Sequence, residues 1–172
     1  MKKVIVLSRV STEGQDLTQQ TDEVLREVYK DGYTDSNIII IEDKESAIQL
    51  SEEERHGLNK MKEYISTNPN INCVYIYELS RLSRIPLVLY SIRDYLVERR
   101  IQLICLKPYF RLLEVDGTMS QTGSLMFSLF SSRADVLRLD EDMQSRQPVT
   151  TYDIAAGVEA LRAATYDDDT LW

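Results

Sequence analysis

The chain has 172 residues, 43% of them hydrophobic, and this length and content are expected to form one domain with a real core. Its formal net charge of −8 is unusual for a nucleic-acid binder, which normally carries a basic footprint. The charge is uneven: residues 1–133 hold 17 Lys/Arg against 19 Asp/Glu, a balance of −2, and residues 134–172 hold 3 against 9, a balance of −6.

Residues 4–7 (Val-Ile-Val-Leu) are a continuous apolar run, as expected of a parallel strand covered on both faces. Arg9 and Ser11 leave its carboxyl end, where open α/β sheets place ligands, and period-2 alternation points both side chains the same way. A hydroxyl beside an obligatory cation suits attack on a phosphate, since the guanidinium holds the anion and lowers the cost of ionising the serine. The plainer alternative is a polar strand end followed by Ser11 and Thr12 capping a helix. That helix carries the stripe Leu17, Val24, Leu25, Val28 and closes at Asp31-Gly32. Residues 37–41 form a second strand, with Asp43 at its end. Residues 51–54 (Ser-Glu-Glu-Glu) read as a capping-box start, acids in the first turn, for a helix using Leu58, Met61 and Ile65. Arg55 and His56 follow that start.

Residues 73–77 make a third strand, rich in β-branched and aromatic side chains, and lead into Glu78-Leu79-Ser80-Arg81-Leu82-Ser83-Arg84. Arg81 and Arg84 share one face if this segment is a helical turn. Pro86 fits the first turn of a helix with the stripe Val88/Leu89, Ile92, Tyr95/Leu96, and residues 101–106 are a fourth strand. Residues 107–117 are a loop or short hairpin, after which Thr118 or Ser120 caps a long helix. Its positions Leu125, Leu129, Ser132, Val136, Leu139 and Met143 are spaced 4, 3, 4, 3, 4, as in a helix that packs along another helix. The alternative is an ordinary amphipathic helix lying on its own sheet. Pro148 ends it, Thr150 or Thr151 caps residues 152–164, and the acidic tail at 148–172 has no recognisable DNA-binding domain and no assigned role. Such a tail would repel a DNA backbone.

The expected architecture is α/β, a mostly parallel sheet covered by helices, with three strands delivering Arg9/Ser11, Asp43 and Arg81/Arg84 to one edge. Cys73 and Cys105 read as small core residues, and with a single histidine, His56, they make no zinc ligand set. The first apolar stretch stops at Leu7 and no run of roughly 18 apolar residues follows, so neither a secretory leader nor a membrane span is expected, and the reading is a soluble, cytoplasmic protein.

In these motifs the chain resembles the catalytic domain of the serine recombinases, the resolvase/invertase family of site-specific DNA recombinases. The matching elements are Ser8-Arg9-Val10-Ser11-Thr12 with Gln15, Leu17 and Gln20 behind it, Glu42-Asp43-Lys44, Arg55-His56-Gly57-Leu58, and Leu79-Ser80-Arg81-Leu82-Ser83-Arg84. They stand in the family's order, and the resemblance covers about residues 1–133, with the helix running on to about 147. It implies a resolvase-like fold whose long C-terminal helix is a dimer interface. Position by position it makes Ser11 the nucleophile and Arg9, Arg81 and Arg84 the arginines around the scissile phosphate. Arg55 matches a further active-site arginine, Gln20 a polar active-site residue and Asp43 the acidic one.

The implied activity is transesterification on double-stranded DNA through a phosphoserine intermediate, without metal, ATP or nucleotide cofactor. The implied partners are a homodimer, a tetramer on synapsis, and no membrane. Three departures stand out. Ser80 replaces the family's usual Asp before the first arginine of the last motif. Glu45-Ser46-Ala47-Ile48 replaces the usual Gly-containing segment, and the C-terminus is acidic. Two other classes compete: a truncated, inactive recombinase-like protein that acts as a dimerising interaction module, and a phosphate-binding α/β enzyme or signalling domain. The second is disfavoured because the first strand ends in neither an acidic cluster nor a Gly-rich turn.

Overall fold

The computed structural model describes residues 2–9, 15–43 and 56–132, all within one compact unit, Met1–Val136. The side chains of residues 9 and 15–17 fall outside that description.

The elements run β1 (Lys3–Arg9), α1 (Gln15–Lys30), β2 (Ile38–Asp43), α2 (His56–Thr67), β3 (Ile71–Ile76), α3 (Pro86–Glu98), β4 (Gln102–Leu106) and β5 (Tyr109–Arg111). A fourth helix, α4, occupies residues 121–132 of the described chain. The five strands lie in the order β2-β1-β3-β4-β5. The first four are parallel, and β5 turns back antiparallel to β4. The fold is therefore the mostly parallel α/β sheet expected, mixed only at its last strand. The interface role of the C-terminal helix, its course beyond 132, the capping box at 51–54 and the acidic tail lie outside the described residues.

Strand alternation divides the core. Val4 and Val6 of β1, Cys73 and Tyr75 of β3 and Ile104 of β4 meet Val24 and Val28 of α1 on one face. Ile5, Leu7, Val74, Ile76, Leu103 and Cys105 point to the other. There they meet Leu58, Met61 and Ile65 of α2, Val88, Leu89, Ile92 and Leu96 of α3, and Phe127 of α4. This is why residues 4–7 are apolar without interruption: a central strand has no solvent face to signal.

One boundary shifts, and one open alternative is decided. The second strand starts at Ile38, because Asn37 closes a 3-10 turn at Asp35–Asn37, and it runs on through Asp43. As an edge strand it leaves Ile40 48% exposed in spite of its four isoleucines. The segment at 107–117 is a hairpin, held by the Gln102 side chain, whose Oε1 accepts from Leu113 N–H at 2.8 Å while its Nε2 donates to Leu113 O at 2.8 Å. The amide thus imitates a strand neighbour and satisfies both backbone groups.

The fourth helix starts at a Ser120 cap, whose Oγ accepts Gly123 N–H at 2.9 Å. Thr118 instead bonds Asp116 Oδ1 through its own N–H and Oγ1. Inward, α4 presents Gly123, Phe127 and Ser131, whereas Leu125, Leu129 and Ser132 of the 4-3 stripe are exposed. These three described positions of the stripe do not pack on this chain's own sheet.

Candidate active site at the carboxyl edge of the sheet

The parallel strands bring their carboxyl ends to one edge. Arg9 pairs with Asp43 in the β1–β2 register, so both strands end level. β3 ends beside them and passes through Tyr77 and Glu78 into a single 3-10 turn, Leu79–Arg81. Arg81 N–H closes that turn on Glu78 O at 3.0 Å. Leu79 and Leu82 anchor it in the α2/α3 core, which forces the polar residues between them toward the edge. Ser83 then caps the approach to α3, accepting Ile85 N–H at 3.0 Å.

Arg81 is buried, at 9% exposure. One nitrogen, Nη2, donates to Gln20 Oε1 on α1 at 2.7 Å and to Glu78 Oε1 at 3.1 Å. Glu78 Oε1 also accepts from Ser80 Oγ at 2.5 Å. Burial pushes the proton affinity of Arg81 down, Glu78 opposes this, and the nearby Arg84 adds to it. The residue stays a cation, since arginine starts from 12.5. Arg84 is exposed, three residues on, and its positive charge adds to the lowering of the Arg81 proton affinity.

A small cleft opens here on the α1 face, lined by Val6, Ser8, Gln20, Thr21, Tyr77 and Arg81. Ser8 and Thr21 share a hydroxyl hydrogen bond of 2.5 Å across its floor, tying the end of β1 to α1.

Asp43 reaches the same edge from the other face. It is buried beneath the first turn of α2, where a Cβ on Gly57 would stand 2.9 Å from Asp43 Cβ, Cγ and Oδ2. It is therefore not in the cleft that joins Gln20 and Arg81. The Arg9 backbone ends β1 beside Asp43, and Ser11 and Arg55 lie outside the described residues. Of the sequence-derived set, Gln20, Arg81 and Arg84 are brought together. The sequence alone assigns Glu78 no role. The signal lies in the segment itself: Glu78 is the one carboxylate in the run from Glu78 to Arg84, three residues before Arg81.

Such a site can hold an anion at the sheet edge. Among the described residues two cations are available there, Arg81 held in place and Arg84 exposed. Among the described residues no group of three or more His, Cys, Asp or Glu is placed to hold a metal ion, and no helix is long and apolar enough to cross a membrane.

Residues 4–147 match the family model described as Resolvase, N terminal domain. The chain belongs to that family. The resolvase fold also recurs in solved structures. The N-terminal catalytic domain of TP901-1 integrase is similar at 26% identity, over 81% of this chain and 99% of that one, with a TM-score of 0.55. A resolvase family site-specific recombinase from Streptococcus pneumoniae shares the fold at 22% identity, over 94% of this chain and 99% of that one, with a TM-score of 0.52. No curated protein matches the chain. This resolvase-family domain is thus a serine recombinase catalytic domain by family.

Proposed function

We propose that this chain cuts and rejoins double-stranded DNA through Ser11. The serine oxygen attacks a backbone phosphorus and displaces the 3′ oxygen. The P–O3′ bond breaks as the Oγ–P bond forms, the serine proton is lost, and the freed 3′ oxygen gains a proton. One phosphodiester becomes another, so the bond energy is kept, and reversal by an exchanged 3′ hydroxyl religates the strand without metal or ATP. Arg9, Arg81 and Arg84 stabilise the charge that develops on the phosphate, and Arg55 adds to that field. Gln20 orients Arg81. Asp43, packed under α2, acts on the position of β1's end rather than on the phosphate.

The observation that carries this reading is Arg81, a buried cation held by Gln20 of α1 at the edge where β1 delivers Arg9. Exchange between two sites needs four copies of Ser11, hence dimers that pair into tetramers.

A randomised duplex library, incubated with the protein and quenched in detergent, should give a covalent protein–DNA adduct. Ser11→Ala should abolish it with the fold intact. Arg81→Ala should slow it by about 10²–10³-fold, the usual cost of one lost charge-stabilising donor. An adduct that persists in Ser11→Ala would overturn the nucleophile assignment.

A further inference from the structure

We infer that Glu78 is a positioning residue: its carboxylate, steered by the Ser80 hydroxyl, locks the plane of the Arg81 guanidinium at the reactive edge. The inference rests on the proposed function for its catalytic consequence, but the lock itself is a property of the fold.

The stoichiometry of hydrogens gives the argument. A guanidinium Nη2 carries two hydrogens. In Arg81 one goes to Gln20 Oε1 and the other to Glu78 Oε1. The acceptors come from different elements, α1 and the end of β3, so together they fix the rotation of the group. Among the described residues Nη1 and Nε donate to nothing, and these remain for an incoming anion.

Glu78 is itself held. Its Oε1 accepts from Ser80 Oγ as well as from Arg81, and Ser80 is buried within the turn. The serine thus does not take over an aspartate's charge. It aims a carboxylate that sits two residues earlier. The pair Glu78–Ser80 supplies from two positions what an acid at 80 would supply from one.

Charge points the same way. Arg81 is desolvated, and Arg84 presses against its positive charge. Glu78 is the carboxylate that offsets both. A negative group 3.1 Å from a phosphate-binding arginine works against phosphate affinity, so it is hard to explain as a binding residue. It makes sense as one that trades affinity for a fixed donor plane.

The experiment compares the 172-residue chain with Glu78→Ala, Glu78→Gln and the double variant Glu78→Ala/Ser80→Asp. Adduct formation is measured on the randomised duplex library at saturating DNA, and the library's dissociation constant separately. Glu78→Ala should lower the saturated rate about 10-fold or more, as expected for a displaced donor. Its dissociation constant should stay unchanged or tighten, since a negative charge is removed. Ser80→Asp should restore most of the rate, and Glu78→Gln, which keeps an acceptor oxygen, should fall between.

A second readout needs no catalysis. Nitrogen-15 NMR should show slow rotation at the Arg81 Nη groups in the parent and averaging in Glu78→Ala. Should Glu78→Ala fail to fold, Glu78→Gln with and without Ser80→Asp makes the same comparison. Unchanged Arg81 rotation, or a rate loss accompanied by weaker DNA binding and not restored by Ser80→Asp, would overturn the inference. A parent chain that forms no adduct yet shows the locked Arg81 would overturn the recombinase reading alone.

Discussion

Gly57 shows how one missing methyl group shapes the site. It faces Asp43 so closely that any β-carbon must displace the carboxylate or the helix. Gly57→Ala should cost about 1–3 kcal/mol by overpacking, read in a urea melt, and a neutral substitution there would show the contact to be loose. The cysteines make a separate residue-scale prediction. Burial pushes both the Cys73 and the Cys105 thiol up to about 12 from 9.0. A raised native pKa means that the folded state holds these protons more tightly than the unfolded one. Their contribution to stability is complete below pH 9 and is lost as pH rises toward 12. Cys73→Ala should therefore narrow the stability difference between pH 8 and pH 11, and an unchanged difference would refute this. Tyr75 keeps part of that alkaline limb, because burial first, and then its bond to Asp31, raises it too. The sequence made these cysteines legible as core, and it singled out Arg81 and Gln20, which the structure joins by a hydrogen bond at the sheet edge. It left Glu78 without a role, because which carboxylate meets a guanidinium depends on a turn that spacing alone does not determine.

At the level of elements, the apolar stripes place α1, α2, α3 and the four parallel strands close to where they lie. Periodicity reports burial, and these elements are buried in the ordinary pattern. Boundaries are less legible, because they depend on caps and neighbours. Thr118 and Ser120 were equal candidates to start α4. Hairpin geometry decides between them: Ser120 N–H donates to Leu112 O at 2.7 Å and its Oγ to Arg111 O at 2.5 Å, leaving its oxygen to accept from Gly123. Ser120 thus ties the helix start to β5 as well as capping it. Ser120→Ala should cost about 1–2 kcal/mol, the range of a lost cap with a lost hydrogen bond. Thr118→Ala, whose bonds to Asp116 are exposed, should stay within about 0.5 kcal/mol. Equal costs in paired denaturant melts would contradict this assignment. The same logic explains Ile40: its β-branched run marks a strand but carries no information on which strand is at the edge.

For the whole molecule, the decisive feature is what α4 leaves uncovered. Leu125 and Leu129 are 53% and 55% exposed on one stripe while Phe127 fills the core from the opposite side. One turn of apolar surface is ordinary, but this stripe continues in sequence through Val136, Leu139 and Met143 at the same 4-3 spacing. A second copy of the chain is the expected partner, and the protein should sediment as a dimer at roughly tens of micromolar, within the concentration dependence usual for such assemblies. Leu125→Asp/Leu129→Asp should return it to a monomer without lowering its helix content. DNA binding by the same dimer should be weak. The net charge is −8, with −6 of it in residues 134–172, so few counterions are released when the chain meets a duplex. Affinity for a random duplex should be no tighter than about 10⁻⁴ to 10⁻⁶ M at physiological salt, with a shallow salt slope set by the few arginines at the edge. Fusing a basic DNA-binding module to the C-terminus should tighten it and steepen the slope. A monomer at that concentration would remove the interface assignment, and nanomolar sequence-specific binding by residues 1–172 would remove the electrostatic one.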